Sequence, residues 1–332
     1  MKILIIRFSS LGDIVLTEPI ARRLREVFPD AELDYITKPQ FCELVQMFGT
    51  VKHVIPYSKT YYAHREIWRA HYDLVFDLHA KFSSYLLKYF AFSATIFTYD
   101  KQHSLRRQIV RHQTSEEIKS TLILYQSALK KAAQKLAIPA LAEPLPYPKL
   151  EVEPKAVEQL KEKWVKAAEK KVVALFPGAA YFTKMYPLPQ WEQFVQAGSS
   201  KYYFLLLGSA SEKALAEQIY KCNPEACANL CGQFNWRELT NVIAASDAVV
   251  SNDSGPMHLA AALNKPQIAI FGATHPKLGF APLNNKAFIL CKNLSCQPCS
   301  LHGGDKCPQQ HFNCMRNLTP EEILTALDKF FN

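Results

Sequence analysis

The chain has 332 residues, enough for two ordinary domains, and its 48% apolar and 21% charged content is that of a soluble globular protein. The longest nearly apolar run, Tyr85 to Phe97, is broken by Lys88 and too short to span a bilayer, and Met1–Arg7 is too short for a signal-peptide core, so a cytoplasmic protein is expected. The net charge of +9 asks for an anionic partner, but without a helix-turn-helix, an RNA-binding signature or basic–aromatic interleaving nucleic acid is not expected, and nine cysteines in a cytoplasmic chain argue against a disulfide framework.

In chain order, Ile3–Ile6, Leu33–Ile36, Val51–Ile55, Leu74–Phe76 and Ala94–Phe97 read as strands. After the first of them Leu16, Ile20, Leu24 and Val27 recur at helical spacing, and with Pro19 near the start either Thr17 caps that helix or the helix kinks there. A long helix is predicted over 116–136, and five prolines between Ile138 and Pro154 then make a stiff linker. Beyond it come a charged helix over 155–169 and strands at Val172–Phe176, Tyr203–Leu207, Ala248–Val250 and Ile268–Phe271. A last helix opens at Thr319, with Glu322 completing a capping box. This alternation predicts an α/β fold of two doubly wound parallel-sheet domains, residues 1–150 and 151–318, followed by a C-terminal helix, 319–332.

Ligands in such sheets sit beyond the carboxyl ends of strands, and four polar segments fall there. In Ser9-Ser10-Leu11-Gly12-Asp13, Asp13 is either a helix cap or a general base. Phe176-Pro177-Gly178-Ala179-Ala180 is followed by Thr183 and Lys184, which either hold phosphate oxygens or are ordinary loop residues. In Gly208-Ser209-Ala210-Ser211-Glu212, the acid either accepts from ribose hydroxyls or is a charge favoured by a helix dipole. The fourth segment, Ser251–Ala262, is the most informative. It reads as strand, tight turn and helix, placing Ser254, Gly255 and Pro256 where unpaired N–H groups and the dipole suit a diphosphate. Gly255 permits close backbone approach and Pro256 loses no needed N–H, although the same turn would serve any α/β protein as a capped connection.

Four blocks, in this order and across nearly the whole chain, resemble glycosyltransferase family 9, the ADP-heptose:lipopolysaccharide heptosyltransferases. They are Ile5-Ile6-Arg7-Phe8-Ser9-Ser10-Leu11-Gly12-Asp13-Ile14, Phe176-Pro177-Gly178-Ala179 with Thr183-Lys184, Asn229-Leu230-Cys231-Gly232, and Ser251–Ala262 with Phe271-Gly272-Ala273-Thr274. Where members often have Lys-Arg-Trp-Pro this chain has Lys184-Met185-Tyr186-Pro187, which keeps the Lys, the Pro and an aromatic. The resemblance implies a GT-B fold, with two Rossmann-like domains facing a central cleft, and inverting sugar transfer without a catalytic metal or cofactor. It implies Asp13 as base, with Lys184 and Thr183 at the leaving diphosphate and Glu212 at the ribose. Asp253, Ser254, Gly255, Met257 and His258 form the rest of the donor site; Asp253 either orients the loop or contacts the sugar, and His258 either touches phosphate or caps.

The resemblance places the acceptor site in the first domain, at Ser10, Gly12, His79, Lys81, Lys101, Arg106 and Arg107. Arginine suits bidentate capture of the Kdo carboxylates and phosphates of lipopolysaccharide inner core; alternatively Arg106, Arg107 and Arg111 make one solvated helix face. The implied partners are ADP-heptose and inner-core Kdo/heptose–lipid A, met peripherally at the anionic inner face of the inner membrane, which suits the basic balance. Whether heptose goes to Kdo or to an earlier heptose is left open.

Cys296, Cys299, Cys307 and Cys314 lie apart from these segments, in a Gly/Pro-containing loop. They suit a structural zinc or iron, as the resemblance also suggests, or are simply buried free thiols; His302, His311 and Cys291 are spare ligands. A dehydrogenase is disfavoured because no G-x-G-x-x-G follows the first strand. The alternatives are a related nucleotide-sugar glycosyltransferase acting on a protein or other acceptor, and a non-catalytic nucleotide-binding module.

Overall fold

The apolar runs pair into two separate sheets in which every strand is parallel to its neighbours. The computed structural model describes residues 1–58, 61–168 and 170–332; Glu169, the expected end of the charged helix, lies outside the described residues.

The first sheet is built from β1 (Lys2–Ile6), α1 (Leu11–Val15), α2 (Glu18–Val27), β2 (Glu32–Thr37), α3 (Cys42–Gln46), β3 (His53–Pro56), α4 (Tyr61–Ala70), β4 (Leu74–Asp77), α5 (Phe82–Phe90) and β5 (Thr95–Thr98). Its strand order is β3-β2-β1-β4-β5. β1 is central, and Ile3, Leu4 and Ile5 are 0% exposed, which is why it reads as an unbroken apolar run rather than an alternating one. Two further helices, α6 (His103–Val110) and α7 (Thr121–Leu136), precede the proline-rich linker.

The second sheet is built from α8 (Pro154–Ala168), β6 (Lys171–Phe176), α9 (Leu188–Gly198), β7 (Tyr202–Leu206), α10 (Lys213–Cys222), β8 (Cys227–Asn229), α11 (Trp236–Ala245), β9 (Ala248–Asn252), α12 (Gly255–Ala262), β10 (Gln267–Phe271) and β11 (Ala287–Cys291). The chain closes with α13 (Asn313–Arg316) and α14 (Pro320–Asp328). The order β11-β10-β9-β6-β7-β8 is the doubly wound order, growing outward from β6 and reversing at β9.

The chain divides into two compact units, Met1–His103 with Ser120–Glu151, and Ser104–Lys119 with Val152–Asn332. The first unit is therefore not a continuous 1–150 stretch, because most of α6 and the residues after it join the second. There the Ile118 N–H donates to the Lys277 carbonyl (2.9 Å). Nor does the last helix stand apart, since Ile323 and Leu327 of α14 share a buried core with Trp191 and Phe194 of α9.

Every strand expected from the sequence forms, but two edge strands escape the apolar signal. β8 has only three residues, and β11 leaves Phe288 and Ile289 each 38% exposed. The helix expected from residue 116 starts at Thr121, because the Ser120 hydroxyl accepts the Leu122 N–H (3.1 Å) and caps it there. Around Pro19 the chain makes two helices, α1 and α2, instead of one kinked helix. The Thr17 hydroxyl between them makes no cap; it donates to the Ile14 carbonyl (2.7 Å) and pairs with Tyr35 (2.8 Å). The Thr319–Glu322 capping box is present as expected.

Candidate active site

In the first unit, the neighbouring strands β1 and β4 end at the same edge of the sheet. Asp13, in the first turn of α1, is gripped there from three directions. Arg7 Nη2 lies 2.6 Å from Oδ2. The Ser10 N–H and hydroxyl donate to the same oxygen at 3.1 and 2.8 Å. From α7 the Tyr125 hydroxyl donates to Oδ1 at 2.8 Å. Burial pushes the Asp13 carboxyl up, but the Arg7 charge and these donors together outweigh it and hold the group well below the usual carboxylate range. Tyr125, 0% exposed, is pushed far up chiefly by burial, so it keeps its proton and donates. Burial works against the Arg7 charge, yet Asp13 foremost keeps the guanidinium protonated. Arg7 Nη1 also donates to the Leu78 carbonyl (2.6 Å), tying the end of β1 to that of β4. The bond from the Ser10 N–H is the helix-capping half of a capping box, so the cap expected of Asp13 is present, but a cap alone requires neither a buried guanidinium nor a buried tyrosine.

At the end of β4, Asp77 is 0% exposed and accepts from the N–H groups of His79 (3.0 Å) and Ala80 (2.8 Å), from the Ser84 hydroxyl (3.1 Å) and from Lys88 (3.0 Å). These bonds fix the turn carrying His79, whose ring packs on Phe8 with centroids 4.6 Å apart. Burial, joined by the positive charges of Arg7 and Lys81, pushes the imidazole down to about 3, so it is neutral. Its buried Nδ1 has no hydrogen-bond partner among the described residues. Lys81 is exposed at the start of α5, Lys101 donates to the Ala80 carbonyl (2.6 Å), and Gly12 is buried within α1.

Arg106 and Arg107, expected in the first domain, belong to the second unit, where Arg106 is buried with its guanidinium 5.1 Å above the Phe280 ring. Arg107 and Arg111 are exposed, so a solvated face describes those two and not Arg106.

In the second unit the topological switch falls between β6 and β9. Asn252, 0% exposed at the end of β9, donates to the carbonyls of Pro177 (2.8 Å) and Gly178 (3.2 Å) and accepts the Tyr186 N–H (3.1 Å), clamping the loop after β6 to the turn after β9. Beside it Asp253, 3% exposed, pairs with the Lys184 ammonium (2.8 Å) and accepts the Thr274 hydroxyl (2.6 Å). Lys184 is therefore a fixed charge and not a solvated one. The buried Thr183 hydroxyl accepts the Gly304 N–H (2.8 Å) and braces the same loop.

Ser254 is the N-cap of α12 but makes no capping bond, and its buried Oγ has no partner among the described residues. Gly255 and Pro256 occupy the first turn, with the buried His258 after them. Met257, expected at the donor site, has its side chain buried against Ala269 and Phe271, while its backbone lies in the first turn of α12. Glu212 Oε2 accepts the Ser209 N–H and hydroxyl, both at 2.7 Å. Its Oε1 lies over Gly178 so closely that a Cβ there would fall 1.7 Å away, so a larger residue at 178 would displace that carboxylate. A hydroxyl without a partner among the described residues, the first-turn N–H groups and the ammonium paired with Asp253 are the donors at this end of the sheet, with the Glu212 carboxylate at the neighbouring loop.

A structural metal at the cysteines, weighed above against buried free thiols, gains no support. Among the described residues no group of three or more His, Cys, Asp or Glu is arranged to hold a metal ion. Cys314 is pushed up to about 12 by burial and by its neighbours Cys299, Cys307 and Cys296. The Cys299 thiol donates to the Ala273 carbonyl (3.7 Å). Cys296 and Cys299 line a cavity of about 640 Å³ together with His112 and His311. Among the described residues no helix is long and apolar enough to cross a membrane.

Sequence reasoning did not pick out Arg7, Tyr125, Asn252 or Thr274 as site residues, although three of them lie inside the blocks that carry the family resemblance. Arg7 had a signal of its own, a charge closing an apolar strand; Tyr125, 112 positions from Asp13, had none.

Residues 61–307 match the sequence pattern of Glycosyltransferase family 9 (heptosyltransferase). The lipooligosaccharide heptosyltransferase 2 of Haemophilus influenzae is 28% identical, over 99% of both chains. The lipopolysaccharide heptosyltransferase 2 of Escherichia coli is 26% identical, over 99% of this chain and 98% of its own. The solved structure of the Escherichia coli ADP-heptose lipopolysaccharide heptosyltransferase II superposes with a TM-score of 0.78 at 23% identity, covering 99% of this chain and 98% of that one, a likeness of fold. With its two doubly wound units of the GT-B class, the chain belongs to glycosyltransferase family 9, the heptosyltransferase family, and is a glycosyltransferase.

Proposed function

We propose that the protein transfers heptose from ADP-heptose to the inner core of lipopolysaccharide, with inversion at the anomeric carbon and Asp13 as general base. The names of the relatives support heptose as the sugar and lipopolysaccharide as the acceptor, and the ADP carrier is this reading's own. The observation that carries the mechanism is the ionised Asp13 carboxylate at the end of β1, with Oδ2 taken up by Arg7 and Ser10 while Oδ1 accepts only the Tyr125 hydroxyl among the bonds described above. A carboxylate oxygen has room for two acceptor contacts, so Oδ1 can take a proton.

The acceptor hydroxyl attacks the anomeric carbon, the bond from that carbon to the β-phosphate oxygen breaks, and ADP leaves with the electron pair. Asp13, held so low by Arg7, is a weak base, so it accepts the proton late, once the attacking oxygen is already bonding to carbon and has become acidic. The charge growing on ADP is met by the first turn of α12, the Ser254 hydroxyl and the Lys184 ammonium, which the Asp253 pair keeps in place. Glu212, anchored by Ser209 and resting on Gly178, accepts from the ribose hydroxyls. The acceptor is recognised from the first unit by His79, Lys81 and Lys101, and because it is anchored in lipid the protein works peripherally at the cytoplasmic face of the membrane.

A ligand that binds only the folded protein raises its melting temperature, so a thermal shift with a panel of nucleotide sugars tests the donor. ADP-heptose should stabilise the protein while UDP- and GDP-sugars do not. Equal stabilisation by a UDP-sugar would contradict the ADP assignment.

A further inference from the structure

Helix α5 is apolar on two opposite faces, and only one of them is covered. Ser84 and Leu87 are 0% exposed and Ala91 is 3%, and this face packs into the first unit's core. Opposite them Phe82, Tyr85, Leu86 and Tyr89 are 76, 68, 47 and 79% exposed, and Phe92, just past the helix, is 69% exposed. At 3.6 residues per turn the four helical positions fall within about 100° of arc, so they form one stripe. A contiguous apolar stripe left in water marks an interaction surface.

We propose that this face of α5, with Phe92 beyond it, seats the protein on an anionic phospholipid bilayer. The chemistry of the segment selects that occupant. From Leu78 to Tyr99 there is no Asp or Glu, and of the two lysines Lys81 is exposed at the helix start while Lys88 is committed to the buried Asp77 (3.0 Å). Exposed tyrosine and phenylalanine rings beside Lys81 suit the headgroup boundary, where ring bodies enter the acyl region while the tyrosine hydroxyls and the Lys81 ammonium stay among the phosphates. The position also suits the work, because α5 starts beyond the carboxyl end of β4, three residues after His79 and at the sheet edge that carries Asp13. The inference rests on the reading above that the acceptor is lipid-anchored.

The test is flotation of the full-length protein with vesicles of phosphatidylglycerol and phosphatidylethanolamine, and separately with phosphatidylcholine alone. The wild-type protein should float with the anionic vesicles and much less with the neutral ones. Phe82→Ser/Tyr89→Ser/Phe92→Ser should bind at least about tenfold more weakly, with melting temperature and turnover on an acyl-free acceptor unchanged. If the triple variant does not fold, Tyr89→Ser alone should still weaken flotation severalfold. Undiminished flotation of the variants overturns the proposal, as does wild-type protein that stays in solution. It is likewise overturned if the wild type is a dimer by light scattering that the triple variant dissociates, since a second copy would then cover the stripe. Flotation that depends on α5, in a protein inactive on every lipopolysaccharide acceptor, would uphold the docking surface and reject the acceptor reading.

Discussion

Replacing Arg7 with Met would strand the Asp13 carboxylate without its counter-charge. Arg7 is 7% exposed and 2.6 Å from its partner. Removing one member of a buried pair costs about 3–5 kcal/mol, because the charge left behind is uncompensated. The Ser10 and Tyr125 donors remain and Asp13 keeps 20% side-chain exposure, so the low end, about 3 kcal/mol, is expected here. The double variant Arg7→Met/Asp13→Asn should lose less than Arg7→Met alone, since it strands no charge. Urea unfolding at pH 7 compares them, and pH gives an independent check. In the wild type the folded Asp13 carboxyl lies below its unfolded value. Its contribution to stability is therefore full above about pH 4 and is lost only as the pH falls further, through the folded value. Without Arg7 the folded carboxyl rises from its wild-type value, because burial is then opposed only by the Ser10 and Tyr125 donors, so protonating Asp13 costs the variant less than the wild type. The stability gap between wild type and Arg7→Met should thus narrow as the pH falls through the carboxylate range. Strictly additive losses, with a gap that does not change with pH, would refute this coupling.

Lys184→Ala should weaken ADP binding roughly ten- to a hundredfold, the loss of one charge-assisted contact of about 1.5–3 kcal/mol, and unchanged affinity by calorimetry would count against the donor site. Ser254→Ala removes a hydroxyl that has no partner among the described residues, so stability should stay within about 0.5 kcal/mol of wild type while ADP affinity falls severalfold; a large stability loss would mean the hydroxyl already has a structural role. Gly178→Ala places a Cβ on Glu212 Oε1 and should displace that carboxylate, lowering ADP affinity more than it lowers the melting temperature, and wild-type affinity in this variant would show that Glu212 does not serve the ribose.

Much of the fold was legible because parallel sheets bury their strands on both faces. Runs such as Ile3–Ile6 and Ile268–Phe271 announce themselves, whereas edge strands such as β8 and β11 are short or half-exposed and do not. Local chemistry was equally legible. The Ser254 turn, the Thr319–Glu322 cap and the acids at strand ends depend on residues within a few positions of one another. Contacts made over long separations were not. Tyr125 reaches Asp13 across 112 positions and Gly304 reaches Thr183 across 121, and neither leaves a trace in spacing. Arg106 was assigned to the first domain for a related reason, since nothing local reveals that its guanidinium lies over Phe280 in the second unit.

The central claim is that Asp13 takes the acceptor's proton, and turnover of Asp13→Asn at saturating substrates tests it most directly. The substitution keeps the shape and removes the base, and ADP affinity measured on the same sample confirms that the donor site is folded. Turnover should fall by about 10²–10⁴-fold with ADP binding nearly intact. A variant that kept more than about a tenth of wild-type turnover, far above what loss of a general base allows, would contradict the claim and pass the role to His79, whose neutral ring and bare Nδ1 make it the next group able to accept a proton.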